Sequence, residues 1–246
     1  MDAHHIPHLK AILAAGPPAD YVLDLDAQAL TGFSDEDTVS SWPDLSGNGN
    51  GAVGGAGTGD DPKYNLSGIN GRPSVRFNGD SALLSPYDGL PRADAVATFF
   101  AVLKVTSTST GYTWHSDGAQ ITLASQGFSA LILSGNFSVN LGGVFNSVSA
   151  ASVLNVPIIV SVAFDKNSAT RAATVRINGS QIGTSIGGSS STEPLRIAAR
   201  GADASVPGYM EAGAFRVYER WLTAGEIEAT EKYLSQRWGN IPLTGL

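Results

Sequence analysis

From residue 20 onward the chain carries short runs of apolar residues, many alternating with polar ones, parted by clusters of Gly, Asn, Ser and Asp. Ser74-Val75-Arg76-Phe77 alternates cleanly and stops at Asn78-Gly79, so Val75 and Phe77 face one side, as core residues on a strand do. Residues 96–105 form a nearly continuous apolar run, the pattern of a central strand in a sandwich. Further strands are expected at 21–25, 119–124, 129–133, 137–141, 157–164, 173–177, 195–199 and 212–218. About ten short strands without intervening helical periodicity predict an all-β, two-sheet antiparallel sandwich or a barrel. Asn178-Gly179 is the strongest hairpin signal, because both residues tolerate the positive φ of a type I′ turn.

A single helix is well specified, near the C-terminus. Thr223 can cap it and Glu226 can reach back as the reciprocal partner. Ile227, Leu234 and Trp238 fall on one face with Tyr233 at its edge, and Gly239 and Pro242 end the helix. Such a helix is expected on the outside or edge of the sandwich. No internal repeat is present, and the small-residue stretches 51–61 and 187–192 read as loops inside one body.

Residues 1–18 differ from the rest. His8 to Ala15 are helix-compatible, and Gly16-Pro17-Pro18 stops the helix. We expect an N-terminal arm over 1–18 and a jelly-roll body over 19–246. The apolar stretch 9–15 is interrupted by Lys10 and led by histidines rather than Lys or Arg, a poor match to a secretory signal.

Charge narrows the partners. Fifteen Lys and Arg against 22 Asp and Glu give a net charge of −7, with no basic cluster. That disfavours nucleic acid and anionic membrane surfaces, which need concentrated positive charge. The absence of cysteine excludes disulfides and thiolate chemistry. No apolar run approaches the ~20 residues of a membrane-spanning helix.

Two blocks carry a family likeness. One runs from Val39 through Trp42-Pro43-Asp44-Leu45-Ser46-Gly47-Asn48-Gly49-Asn50 to Asn70-Gly71-Arg72-Pro73-Ser74-Val75-Arg76-Phe77-Asn78-Gly79. The other runs from Gly208 through Val217-Tyr218-Glu219-Arg220-Trp221-Leu222-Thr223 to Trp238-Gly239. Together they resemble the laminin-G-like, concanavalin A-like lectin and glucanase jelly rolls of bacterial surface proteins and phage virion proteins. The resemblance implies a jelly-roll fold and a non-catalytic structural or adhesion role. A phage virion surface component, as capsid decoration or tail protein, is the first expectation. A glycan-binding module of a bacterial surface or secreted protein is the alternative, and a glycoside hydrolase is the least supported. An assembly role implies homo-oligomers or other virion or surface proteins as partners, docked through the arm, with host glycans as a further partner.

The same residues also read physically. Trp42 before a turn suits a core plug, and Asp44 and Ser46 can cap the Gly-rich turn that follows. Asp44, Ser46, Asn48 and Asn50 also place oxygen at every second position, a candidate calcium set. Related jelly rolls hold calcium near binding loops, though no motif here maps onto such a site. Gly59-Asp60-Asp61 is a second oxygen-rich spot. Tyr112, Trp114 and His115 are expected on a loop, where aromatic rings can stack on a sugar; burial of Trp114 as an anchor is the other reading. His4, His5 and His8 crowd the arm and give at most three metal ligands. Glycoside hydrolysis requires two carboxylates facing each other across a groove. Asp24 and Asp26 share a strand face but lack the third member of the glucanase motif; Asp35-Glu36-Asp37, Glu211, Glu219 and Glu226 are scattered.

Overall fold

The computed structural model describes residues 16–54, 61–90, 96–116, 128–166, 172–187, 194–198 and 208–244. The arm through residue 15 with its three histidines, the strand expected at 119–124, and Asp60 lie outside the described residues. The architecture is the expected all-β jelly-roll sandwich with one C-terminal helix. In chain order the strands are β1 (Leu23–Asp26), β2 (Ser41–Trp42), β3 (Ala52–Val53), β4 (Lys63–Ile69), β5 (Arg72–Asn78), β6 (Leu83–Leu84), β7 (Val96–Val105) and β8 (Gly111–Ser116). They continue with β9 (Phe128–Leu133), β10 (Asn136–Leu141), β11 (Val144–Ser149), β12 (Pro157–Asp165), β13 (Ala172–Ile177), β14 (Ser180–Gly183), β15 (Arg196–Ile197) and β16 (Tyr209–Tyr218). The helix is α1 (Ala224–Arg237).

Among the described residues each sheet has eight strands. The first runs β14-β13-β12-β7-β16-β5-β4, with β1 also paired to β16. The second runs β11-β10-β9-β8-β15-β6-β3-β2. The long apolar runs β7 and β12 lie at the centre of the first sheet, buried on both faces. Asn178 and Gly179 have φ of 49° and 82°, the two left-handed residues of the expected hairpin turn. Asn70-Gly71, Ser134-Gly135 and Gly142-Gly143 repeat that conformation between β4 and β5, β9 and β10, and β10 and β11.

Between the sheets sits an aromatic cluster. Phe99 packs against Trp114, Phe128 and Phe215 with ring centroids 4.8, 4.9 and 6.1 Å apart. Trp42 meets Phe215 edge-on at 6.0 Å and is fully buried, the core plug expected of it. Truncating any one of these rings costs about 3–5 kcal/mol.

Strand β16 has β7 on one side and two partners in turn on the other. Its first half pairs with β5, its second half with β1. The β16–β7 register slips between Ala212 and Ala214, so Gly213 lies where the partner changes. The Trp238 ring covers that glycine, and a methyl group there would lie 2.9 Å from the ring.

Helix α1 covers the outer face of the first sheet. Its capping box is present: Thr223 Oγ1 accepts from Glu226 N–H at 3.3 Å, and Glu226 accepts from Thr223 N–H at 2.8 Å. Ile227 and Leu234 are buried beneath it. Glu231 is buried too, held by Ser161 on β12 and by a two-pronged contact from Arg176 on β13 at 3.1 and 3.0 Å. None of the described helices is long and apolar enough to cross a membrane.

Candidate functional site

The loop after Trp42 folds around one carboxylate. Asp44 Oδ1 accepts from the backbone N–H groups of Asp24 and Ser46, both at 2.9 Å. Its Oδ2 accepts from Ser46 Oγ at 2.6 Å and from Asn50 N–H at 3.0 Å. Burial alone would raise the Asp44 pKa, but the Ser46 hydroxyl and the three N–H donors outweigh it and hold the carboxyl below its ordinary value. Beside it, the Val22 carbonyl accepts from Asn50 Nδ2 at 2.9 Å and Asn48 Nδ2 at 3.3 Å, with Ser46 Oγ 3.0 Å away. The calcium expectation does not fit this geometry. The Asp44 lone pairs are taken up by protein donors, and the amides of Asn48 and Asn50 present N–H groups to a carbonyl. Asp44, Ser46, Asn48 and Asn50 form a self-capped turn that pins the loop to β1. No group of three or more metal-ligating His, Asp or Glu side chains is gathered among the described residues.

Tyr112, Trp114 and His115 are not on a loop. They lie in β8, whose Tyr, Thr and Trp favour the pleated surface of a sheet. A register slip between Tyr112 and Trp114 turns the indole into the core, at 0% exposure, and leaves Tyr112 and His115 on the opposite, outer face of the second sheet. Those two rings meet edge-to-face at 5.0 Å, with exposures of 2% and 1%. The expected three-ring platform is therefore split between two faces, and none of its rings is open to solvent. The register reveals a row that sequence reading missed: Arg196, His115, Ser129 and Asn140 sit side by side across β15, β8, β9 and β10. All four are buried. Finding the row needs strand register, which composition does not carry.

The carboxylates weighed for hydrolysis hold the scaffold together. Asp24 and Asp26 share a face of β1, yet each is claimed by a different arginine. Asp24 pairs with Arg216 on β16, and Asp26 accepts from Arg237 Nε at 2.5 Å and Gln28 N–H at 2.8 Å. Glu211 accepts from Asn65 and Ser74, Asp35 from Leu66 N–H, and Asp37 from Ser34 N–H. Glu36 pairs with Arg76, and Glu226 with Arg220. Glu219 accepts from the Tyr87 hydroxyl at 3.3 Å.

One shallow groove of about 430 Å³ opens beside the end of α1. Gln28, Arg72, Tyr233, Gln236 and Arg237 line it. Gln28 comes from a single 3₁₀ turn after β1, Arg72 opens β5, and the other three close the helix. The walls are fixed by the helix's last carbonyls. Gln28 Nε2 donates to Arg237 O and Asn70 Nδ2 to Trp238 O, both at 3.0 Å. Arg216 lies over the Tyr233 ring at 5.4 Å and over Tyr21 at 4.6 Å, holding the phenol in place from below the helix. Nothing in the sequence points to this groove, because its residues come from three distant segments.

No family model matches the chain, and no curated protein matches it by sequence. Solved structures do match by shape. The binding domain of Paraclostridial Mosquitocidal Protein 1 superposes with a TM-score of 0.60 at 15% identity, over 89% of this chain and 55% of that one. The receptor-binding domain of botulinum neurotoxin type G gives 0.54 at 15% identity, over 90% and 54%. A Trypanosoma rangeli sialidase in complex with sialic acid gives 0.61 at 15% identity, over 91% and 34%. The chain thus spans about half the length of the first two and a third of the sialidase. At these identities the likeness establishes the architecture alone: the described residues share a β-sandwich with these proteins.

Proposed function

We propose that this chain is a non-catalytic binding module that recognises glycans. The observation that carries it is the fate of the carboxylates. The acidic residues weighed for hydrolysis are tied to arginines, hydroxyls or backbone N–H groups, while an open groove lined by amides, guanidinium groups and an aromatic ring remains at the helix end. The shared architecture with domains named for receptor binding supports the reading; the sialidase neighbour is covered over only a third of its length.

The finer placement rests on the two sequence blocks. Their likeness to virion and bacterial-surface jelly rolls supports a component displayed on a phage particle, with a bacterial surface or secreted module as the second reading. Arm-mediated docking on a partner or a second copy belongs to the same proposal.

The test is a glycan array with the intact chain, run beside a hydrolysis assay on the glycans retained. Binding without turnover is the expected result. Release of reducing sugar would overturn the non-catalytic reading, and an empty array would overturn glycan recognition. Particle mass with and without residues 1–18 tests the arm; an unchanged mass and unchanged docking would remove it from the proposal.

A further inference from the structure

We infer that the groove at the end of α1 selects sugars bearing a carboxylate, with Arg72 as the anchoring charge; the inference rests on the glycan-binding reading. Arg72 is exposed and, among the described arginines, is the one with no hydrogen-bond or ion-pair partner. The others are engaged: Arg76 by Glu36, Arg176 by Glu231, Arg216 by Asp24, Arg220 by Asp20 and Glu226, Arg237 by Asp26. Arg196 also has an interaction. In a chain of net charge −7, an exposed arginine in the wall of a groove with no acidic partner is a cation free to pair with an anionic ligand.

The chemistry of the lining narrows that ligand. A guanidinium presents a planar fork of N–H donors that matches a carboxylate through two parallel bonds. Arg237 adds donors, since only its Nε is used by Asp26. Its charge is already balanced there, so the net attraction for an anion comes from Arg72. The C-terminal end of a helix repels anions through its free carbonyls. Here Gln28 and Asn70 take up the carbonyls of Arg237 and Trp238, which weakens that repulsion. The Gln236 side chain donates and accepts, as a sugar's hydroxyl array requires, and the half-buried Tyr233 ring supplies an apolar wall for the flat side of a pyranose. A bare carboxylate would use Arg72 but neither the ring nor the amide.

The test is titration calorimetry of the intact chain with glucuronic acid and N-acetylneuraminic acid, beside glucose, sodium acetate and sodium sulfate. Both acidic sugars should bind, glucose should not, and the two salts should compete only weakly. Arg72→Ala should weaken the acidic sugars at least tenfold, Arg72→Lys less, and Tyr233→Leu should weaken sugars but not acetate. Arg72 is exposed and unpaired, so its variants keep the fold, and an unchanged melting temperature verifies this. Binding of neutral glycans with no preference for acid overturns this inference and leaves the binding-module reading standing. Acetate or sulfate binding as tightly as the acidic sugars marks a generic anion site and overturns it too. Equal affinity in Arg72→Ala overturns the anchor.

Discussion

Arg216 forks onto Asp24 from directly across the β1–β16 ladder, Nε to Oδ1 at 3.0 Å and Nη2 to Oδ2 at 2.8 Å, with each side chain only 6% exposed. A buried ion pair of this kind is strong only while both members are present, because each alone is an uncompensated charge out of water. Asp24→Asn or Arg216→Met should each cost about 3–5 kcal/mol in urea unfolding, and the combined Asp24→Leu, Arg216→Met change should recover most of that loss. Additive losses in the double variant would mean the two residues act separately.

Asp44 should matter for stability and not for metal. Asp44→Ala removes the acceptor for four donors and should cost roughly 2–4 kcal/mol, since unsatisfied N–H groups are left behind. Melting temperatures with calcium and with chelator should coincide. A calcium-dependent rise in melting temperature that vanishes in Asp44→Ala would restore a metal role for the loop.

Trp114→Ala should unfold the protein more readily by about 3–5 kcal/mol, the loss of a large buried ring, with glycan binding unaffected at temperatures where the variant stays folded. Denaturant titration beside a binding assay separates the two effects. Loss of binding in a fully folded variant would return Trp114 to the recognition surface.

Gly213→Ala places a methyl against the Trp238 ring and should cost about 1–3 kcal/mol by overpacking. Trp238→Leu in the same chain should relieve part of the clash while opening a void of its own. Thermal unfolding of the single and double variants measures the coupling.

Acid should loosen the start of α1. The hydrogen bond from Arg220, with those from Thr223, holds the Glu226 pKa at about 2 against an ordinary 4.5. A carboxyl depressed on folding stabilises fully above its unfolded value and loses that contribution as pH falls from about 4.5 towards 2. Glu226→Gln should therefore flatten the acid limb of the stability profile while lowering the plateau near neutrality. Circular dichroism melts between pH 2 and pH 7 read both effects.

The long strands and the helix were legible because each satisfies its signals locally. Residues 96–105 are apolar almost throughout because β7 is covered on both faces, and Thr223 with Glu226 forms its capping box within one turn. Strands of two residues, such as β2, β3 and β6, are too short for a period of two to show. Residues 111–116 read as loop because the bulge breaks their alternation, setting Tyr112 and His115 on one face and Trp114 on the other. Asp44 offered the same oxygens to a cation or to its own backbone, and only the position of Asp24 N–H, twenty residues upstream, decides between them. The groove was invisible for a stronger reason. Gln28, Arg72 and Arg237 meet only after β1 has joined β16 and the helix has folded back over both.

That last pairing governs the order of events during synthesis. β1 leaves the ribosome among the first described segments, yet its partner β16 and the helix above it are among the last. Until they emerge, Leu23 and Leu25 have no strand to lie against, and Asp24 and Asp26 have no arginine. The first sheet cannot close co-translationally from its N-terminal end. Closing so long a loop late gives a high contact order, with slow folding, and leaves the edges of β7 and β5 that β16 will fill unpaired in the interim. A nascent chain stalled before residue 209 should thus be protease-sensitive and prone to associate with other copies, and emergence of residues 209–246 should be the step that converts it to a resistant form.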